Sequence, residues 1–70
     1  MKKEDFYKKT PLQLKAYIYR VRYTKGDILD MLRFCGEYQE SDNRLSVIKL
    51  CEKHQETLKD TLWEDLENGY

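Results

Sequence analysis

The sequence predicts an all-α protein, and three features carry that prediction. Thr10-Pro11-Leu12-Gln13 is a helix start, a seam of mostly apolar residues spaced by three and four runs from Leu14 to Gln39, and residues 44–67 hold neither Gly nor Pro. The architecture they imply is an antiparallel helical hairpin, a long helix 11–39 packed on a helix 44–67. If the first helix breaks at Gly26, the result is a three-helix bundle. Either way residues 1–70 form a single domain, and one expected to self-associate.

Residues 1–9 are charged, with Phe6 and Tyr7 their only large apolar groups besides Met1. They read as a flexible arm or a short helical turn that folds the aromatic pair back near the first helix. At Thr10 the signals converge. Its hydroxyl can accept from a first-turn N–H, Pro11 has no N–H to leave unpaired, and Gln13 can reach back to the Thr10 amide as a capping box. A rival reading makes Tyr17 to Thr24 a strand, because β-formers dominate it. The helical spacing of Leu14, Tyr17, Ile18 and Val21, together with the cap upstream, favours a helix.

That helix has two apolar sides. Leu14, Tyr17, Ile18 and Val21 make one stripe, and Leu12, Ala16, Tyr19 and Tyr23 make another about half a turn away. A hairpin covers one stripe only. The second is therefore predicted to bind a partner, either another protein or a second copy of the chain.

Gly26 and Asp27 offer a stop and a new cap, yet the seam Leu14, Ile18, Val21, Lys25, Ile28, Leu32, Cys35, Gln39 runs through them at coiled-coil spacing. One continuous helix, bent or straight, is the favoured reading, with Gly26 and Gly36 each costing about 1 kcal/mol inside it. Glu40-Ser41-Asp42-Asn43 is a polar loop. Beyond it Leu45, Ile48, Cys51, Leu58, Leu62 and Leu66 keep helical spacing until Asn68-Gly69 stops the helix.

Charged residues make up 37%, mean hydropathy is −0.90 and the net charge is zero. No apolar run approaches the ~20 residues of a membrane span, so a cytoplasmic, membrane-free protein is expected. The charge is uneven in sequence. Residues 1–25 hold eight Lys/Arg against two Asp/Glu, and residues 60–70 hold four acids and no base. Opposite-sign segments of this kind pair within a fold or between subunits. The two cysteines read as buried free thiols, not a disulfide framework.

Chemistry is sparse. Cys51 and His54 share a helical face that Cys35 could oppose, but three soft ligands fall short of a structural zinc site, and no metal or other cofactor is expected. No glycine-rich phosphate loop is present, and a thiol–His54 pair would need a cleft that a two-layer helical object does not supply. A non-enzyme is predicted. The basic, tyrosine-rich first helix offers an alternative, nucleic-acid binding through Lys15, Arg20, Arg22 and Lys25, which the balanced net charge disfavours. Two readings stand for Trp63, an exposed partner anchor or a cover over the first helix's N-terminal end, near Phe6 and Tyr7.

Phe6-Tyr7-x-x-Thr10-Pro11-x-x-Leu14, leading into a Tyr/Arg-rich amphipathic helix, resembles the opening of small tail assembly chaperones and related short helical proteins of tailed phages. The likeness covers the N-terminal third of the chain. It implies a non-enzymatic, phage-encoded protein that binds extended helical or unassembled partners, with Phe6, Tyr7, Thr10, Pro11 and Leu14 as the matching positions. The expected function is thus an adaptor or assembly-chaperone-like protein whose contact residues are Leu12, Ala16, Tyr19, Tyr23 and Trp63. A phage inhibitor of a host defence enzyme is an alternative of the same class.

Overall fold

The computed structural model describes residues 2–69. Among these, five α helices and one 3₁₀ turn follow one another with no strand: α1 (Lys3–Tyr7), α2 (Pro11–Arg20), α3 (Lys25–Phe34), the 3₁₀ turn (Glu40–Arg44), α4 (Val47–Lys53) and α5 (Gln55–Glu67). The all-α expectation holds. The arrangement is neither the long hairpin nor the three-helix alternative, because both long helices are broken. A straight helix over residues 11–39 would be about 44 Å long at ~1.5 Å per residue, whereas the molecule's longest dimension is 33 Å. Folding back in short pieces lets each helix bury its apolar stripe within one chain.

The first break falls at residues 21–24, ahead of Gly26. Arg22 adopts a left-handed φ of 66°, and the Tyr23 N–H bonds back to the Ile18 carbonyl at 3.0 Å. This is the Schellman ending that glycine usually provides. Thr24 then caps α3, its hydroxyl accepting from the Asp27 N–H while the Asp27 carboxylate accepts from the Thr24 N–H. Gly26 lies inside the first turn of α3. Gly36, at φ 74°, ends that helix with a matching bond from the Glu37 N–H to the Leu32 carbonyl, 2.9 Å. The predicted seam survives at Leu14, Ile18, Ile28 and Leu32, all fully buried, and is lost at Cys35 and Gln39, which are exposed.

The predicted second helix begins at Val47 behind a Ser46 cap and is interrupted at His54, whose backbone (φ −120°, ψ 39°) is not helical. Helices α2 and α3 lie on different partners. α2 packs on α4, and α3 packs on α5. The core joins Leu14, Tyr17 and Ile18 of α2 and Ile28, Leu29 and Leu32 of α3 with Val47, Leu50, Cys51, Leu58 and Leu62. Of the two readings of the N-terminal stretch, the described residues take the short helical turn, α1. Phe6 is fully buried, with its ring centroid 5.3 Å from Tyr17 and 5.6 Å from Trp63. Lys59 Nζ donates to the Tyr7 carbonyl at 3.0 Å, and the Tyr7 hydroxyl donates to Asp60, which fastens α1 to α5. That hydrogen bond, with burial and the negative charge of Asp60 adding to it, pushes the Tyr7 phenol up to about 12.

Candidate functional site

Three places on the molecule carry groups beyond what the core requires. The first is the outer face of α2. Its inner stripe is buried, so Leu12, Ala16 and Tyr19 point the other way and are exposed, Leu12 at 67% and Tyr19 at 55%. Cations lie against the tyrosines of this helix. Lys15 Nζ is 5.6 Å from the Tyr19 ring, while Lys9 and Arg20 flank the Tyr17 ring at 6.0 and 5.4 Å. Such contacts hold long side chains over aromatic surface and limit their freedom.

Two predicted contact residues are corrected. Tyr23 does not continue the outer stripe, because α2 ends at Arg20 and the Schellman turn swings Tyr23 into the core, where it is 9% exposed. Its hydroxyl donates to Asp65 at 2.8 Å. Trp63 is half-buried against the core beside Phe6, and its indole N–H donates to Glu67, so of its two readings the cover is the one realised. Of the four predicted nucleic-acid residues, Lys15 and Arg20 lie on α2, Arg22 is exposed on the turn after it, and Lys25 Nζ donates to the Asn43 carbonyl at 2.6 Å, tying α3 to the 3₁₀ turn.

The second place is a groove between α3 and α5. Tyr23, Met31, Phe34 and Cys35 supply its less polar lining and Asp27, Asp30, Glu64 and Asp65 its charge, with no Lys or Arg among the lining residues. Phe34 is 92% exposed. It lies two positions from Leu32 and hence on the opposite side of the helix, outside the predicted outer stripe. Once α3 is seen to start at Thr24, the spacing alone puts Asp27, Asp30, Met31 and Phe34 on the outward side.

The third place is a buried polar cluster where the 3₁₀ turn meets the α4–α5 break. Asp42 is fully buried. Its carboxylate accepts from the Gln39 N–H (2.9 Å), Lys53 Nζ (3.0 Å) and His54 Nε2 (3.2 Å), while Glu37 Oε2 lies 3.6 Å from His54 Nδ1. Burial pushes the Asp42 carboxyl up, but the hydrogen bonds from Gln39, Lys53 and His54 outweigh it and hold the group below its ordinary value. Among the described residues no buried side-chain nitrogen or oxygen lacks a partner. The Asp42 carboxylate is therefore fully partnered. It pins the 3₁₀ turn to the helix break through Lys53 and His54 Nε2, while His54 Nδ1 faces Glu37.

Burial pushes the Cys51 thiol up to about 11. Cys35, expected to be a buried thiol, is instead exposed because α3 ends at Phe34, and its Sγ sits 3.5 Å from the Thr61 hydroxyl. Among the described residues no group of three His, Cys, Asp or Glu is placed to hold a metal ion, and no helix is long and apolar enough to cross a membrane. No protein-family model matches the chain, and neither does any curated protein or solved structure.

Proposed function

We propose that the protein is a small non-catalytic adaptor that binds another protein through the outer face of α2, in the manner of an assembly chaperone covering an unassembled partner. The observation behind this reading is the exposure of Leu12 and Tyr19 on the side of α2 opposite the fully buried Leu14 and Ile18. A displayed leucine and tyrosine beside Lys15 and Arg20 fit an apolar surface with an acidic margin. Tyr19, steadied by Lys15, is the anchor, since a rigid aromatic loses little entropy on docking. The engagement of His54 Nε2 by the buried Asp42 and the protonated Cys51 thiol favour a non-catalytic role. Inhibition of a host defence enzyme would use the same face. The test is a Leu12→Asp/Tyr19→Asp variant. It should keep its circular dichroism and melting temperature yet lose the protein that the wild type captures from lysate of its source cells. A variant that still captures the same protein overturns the reading.

The cations held against Tyr17 and Tyr19 favour one second reading, a grip on single-stranded nucleic acid. It requires oligonucleotide binding that falls steeply with salt and weakens on Arg20→Ala or Arg22→Ala. Absence of binding to DNA and RNA at low salt removes it.

A further inference from the structure

The outer face of α2 and the α3–α5 groove are opposite in charge and alike in shape of demand. Helix α2 carries Lys15 and Arg20 and no Asp or Glu. Of the four groove carboxylates, only Asp30 meets a cation among the described residues, the Arg33 guanidinium at 2.9 Å. Asp27 accepts from the Thr24 N–H and Asp65 from the Tyr23 hydroxyl, and neither meets a cation among the described residues. Each surface also leaves apolar area in water, Leu12 and Tyr19 on one and Phe34 on the other.

We propose that the groove receives the outer face of α2 from a second copy of the chain, so that copies join head to tail. This rests on the reading of α2 as a contact face and names one occupant for the groove. Within a molecule the two surfaces share no residue and both remain uncovered, so only a second molecule can bring them together. Seating Leu12 and Tyr19 beside Met31 and Phe34 buries the exposed apolar groups of both, and sets Lys15 and Arg20 against Asp27, Glu64 and Asp65. A two-fold pairing of α2 on α2, or of groove on groove, would instead oppose like charges. The zero net charge leaves no overall self-repulsion to resist association. Because the interface joins two different patches, each copy retains one free face and one free groove, and growth continues as a chain or closes as a ring.

The experiment is a mixing test by light scattering on purified protein. Wild-type mass should rise with concentration at low salt, and apparent association should weaken about tenfold or more between low and high salt. A face-blocked variant, Leu12→Asp/Tyr19→Asp, and a groove-blocked variant, Phe34→Lys/Glu64→Lys, should each be monomeric with unchanged circular dichroism. Mixed in equal amounts, they should form a one-to-one dimer that grows no further, because one intact face and one intact groove remain. A wild type that stays monomeric at every concentration overturns the proposal, as does a face-blocked variant that still associates or a mixture that stays monomeric. The two readings part at the groove-blocked variant. If it captures the lysate partner while the wild type is monomeric, the adaptor reading survives and head-to-tail joining does not.

Discussion

Helices α2 and α3 are built to one local plan and finished differently. Each is ten residues long, opens on a threonine capping box and closes in a Schellman turn. Each buries three residues, Leu14, Tyr17 and Ile18 in one and Ile28, Leu29 and Leu32 in the other. Their outer faces share nothing. α2 displays Leu12, Ala16 and Tyr19 among cations, and α3 displays Met31 and Phe34 among carboxylates. Folding constrains caps and inner stripes alike in both. The outer residues are free of that constraint, which is why the contrast between them is where the function is sought.

The widest gap should separate inner from outer positions. Ile18→Ala and Leu32→Ala should each cost about 2–5 kcal/mol in urea unfolding, the usual range for emptying a fully buried site. If either falls below about 1 kcal/mol, the two helices are not equal partners in the core.

The connections that follow the two helices offer a second contrast. The turn after α2 is four residues long, whereas the longer link after α3 is pinned through Asp42. Asp42→Asn should cost about 1–3 kcal/mol, because Lys53 and His54 lose their shared acceptor. The pH dependence follows from the direction of the shift. Asp42 is held below its ordinary 3.8, so its contribution is complete above that value and is lost as pH falls toward the lower folded pKa. Acid unfolding curves should therefore be steeper for the wild type than for Asp42→Asn. Parallel curves would deny the carboxylate that role.

At the helix ends the contrast is between Arg22 and Gly36, which share a left-handed conformation. Gly36→Ala should cost about 1 kcal/mol, and Arg22→Gly should gain from a few tenths to about 1 kcal/mol as strain is relieved. A loss on Arg22→Gly would mean that the arginine side chain holds the turn. The smallest expected effect lies outside. Leu12→Ala and Phe34→Ala should each change stability by less than about 0.5 kcal/mol. A larger loss at either would place that residue in the fold.

Much of this was legible in advance. Thr10, Pro11 and Gln13 marked the start of α2 correctly, because a capping box is complete within four residues. The second box, Thr24 with Asp27, and the stop at Gly36 were equally local, but the seam running across them hid both. The seam describes which residues face inward, and it holds equally well for one rod or for two helices that each turn the same side to the core. Tyr23 was assigned to the outer stripe on the premise of an unbroken helix, and Phe34 was missed for the same reason.

By itself the sequence determined that the chain is helical, where α2 begins and that Leu14, Tyr17, Ile18, Ile28 and Leu32 turn inward, all of them properties decided within a turn or two of helix. Tertiary structure decided where the chain folds back, that Tyr23 enters the core while Phe34 stays out, and that Asp42 is buried against Lys53 and His54. Those outcomes depend on distant parts of the chain, as between Tyr23 and Asp65, 42 positions apart. Closing such contacts in a chain this short requires short helices, and only the assembled core determines which turns are taken.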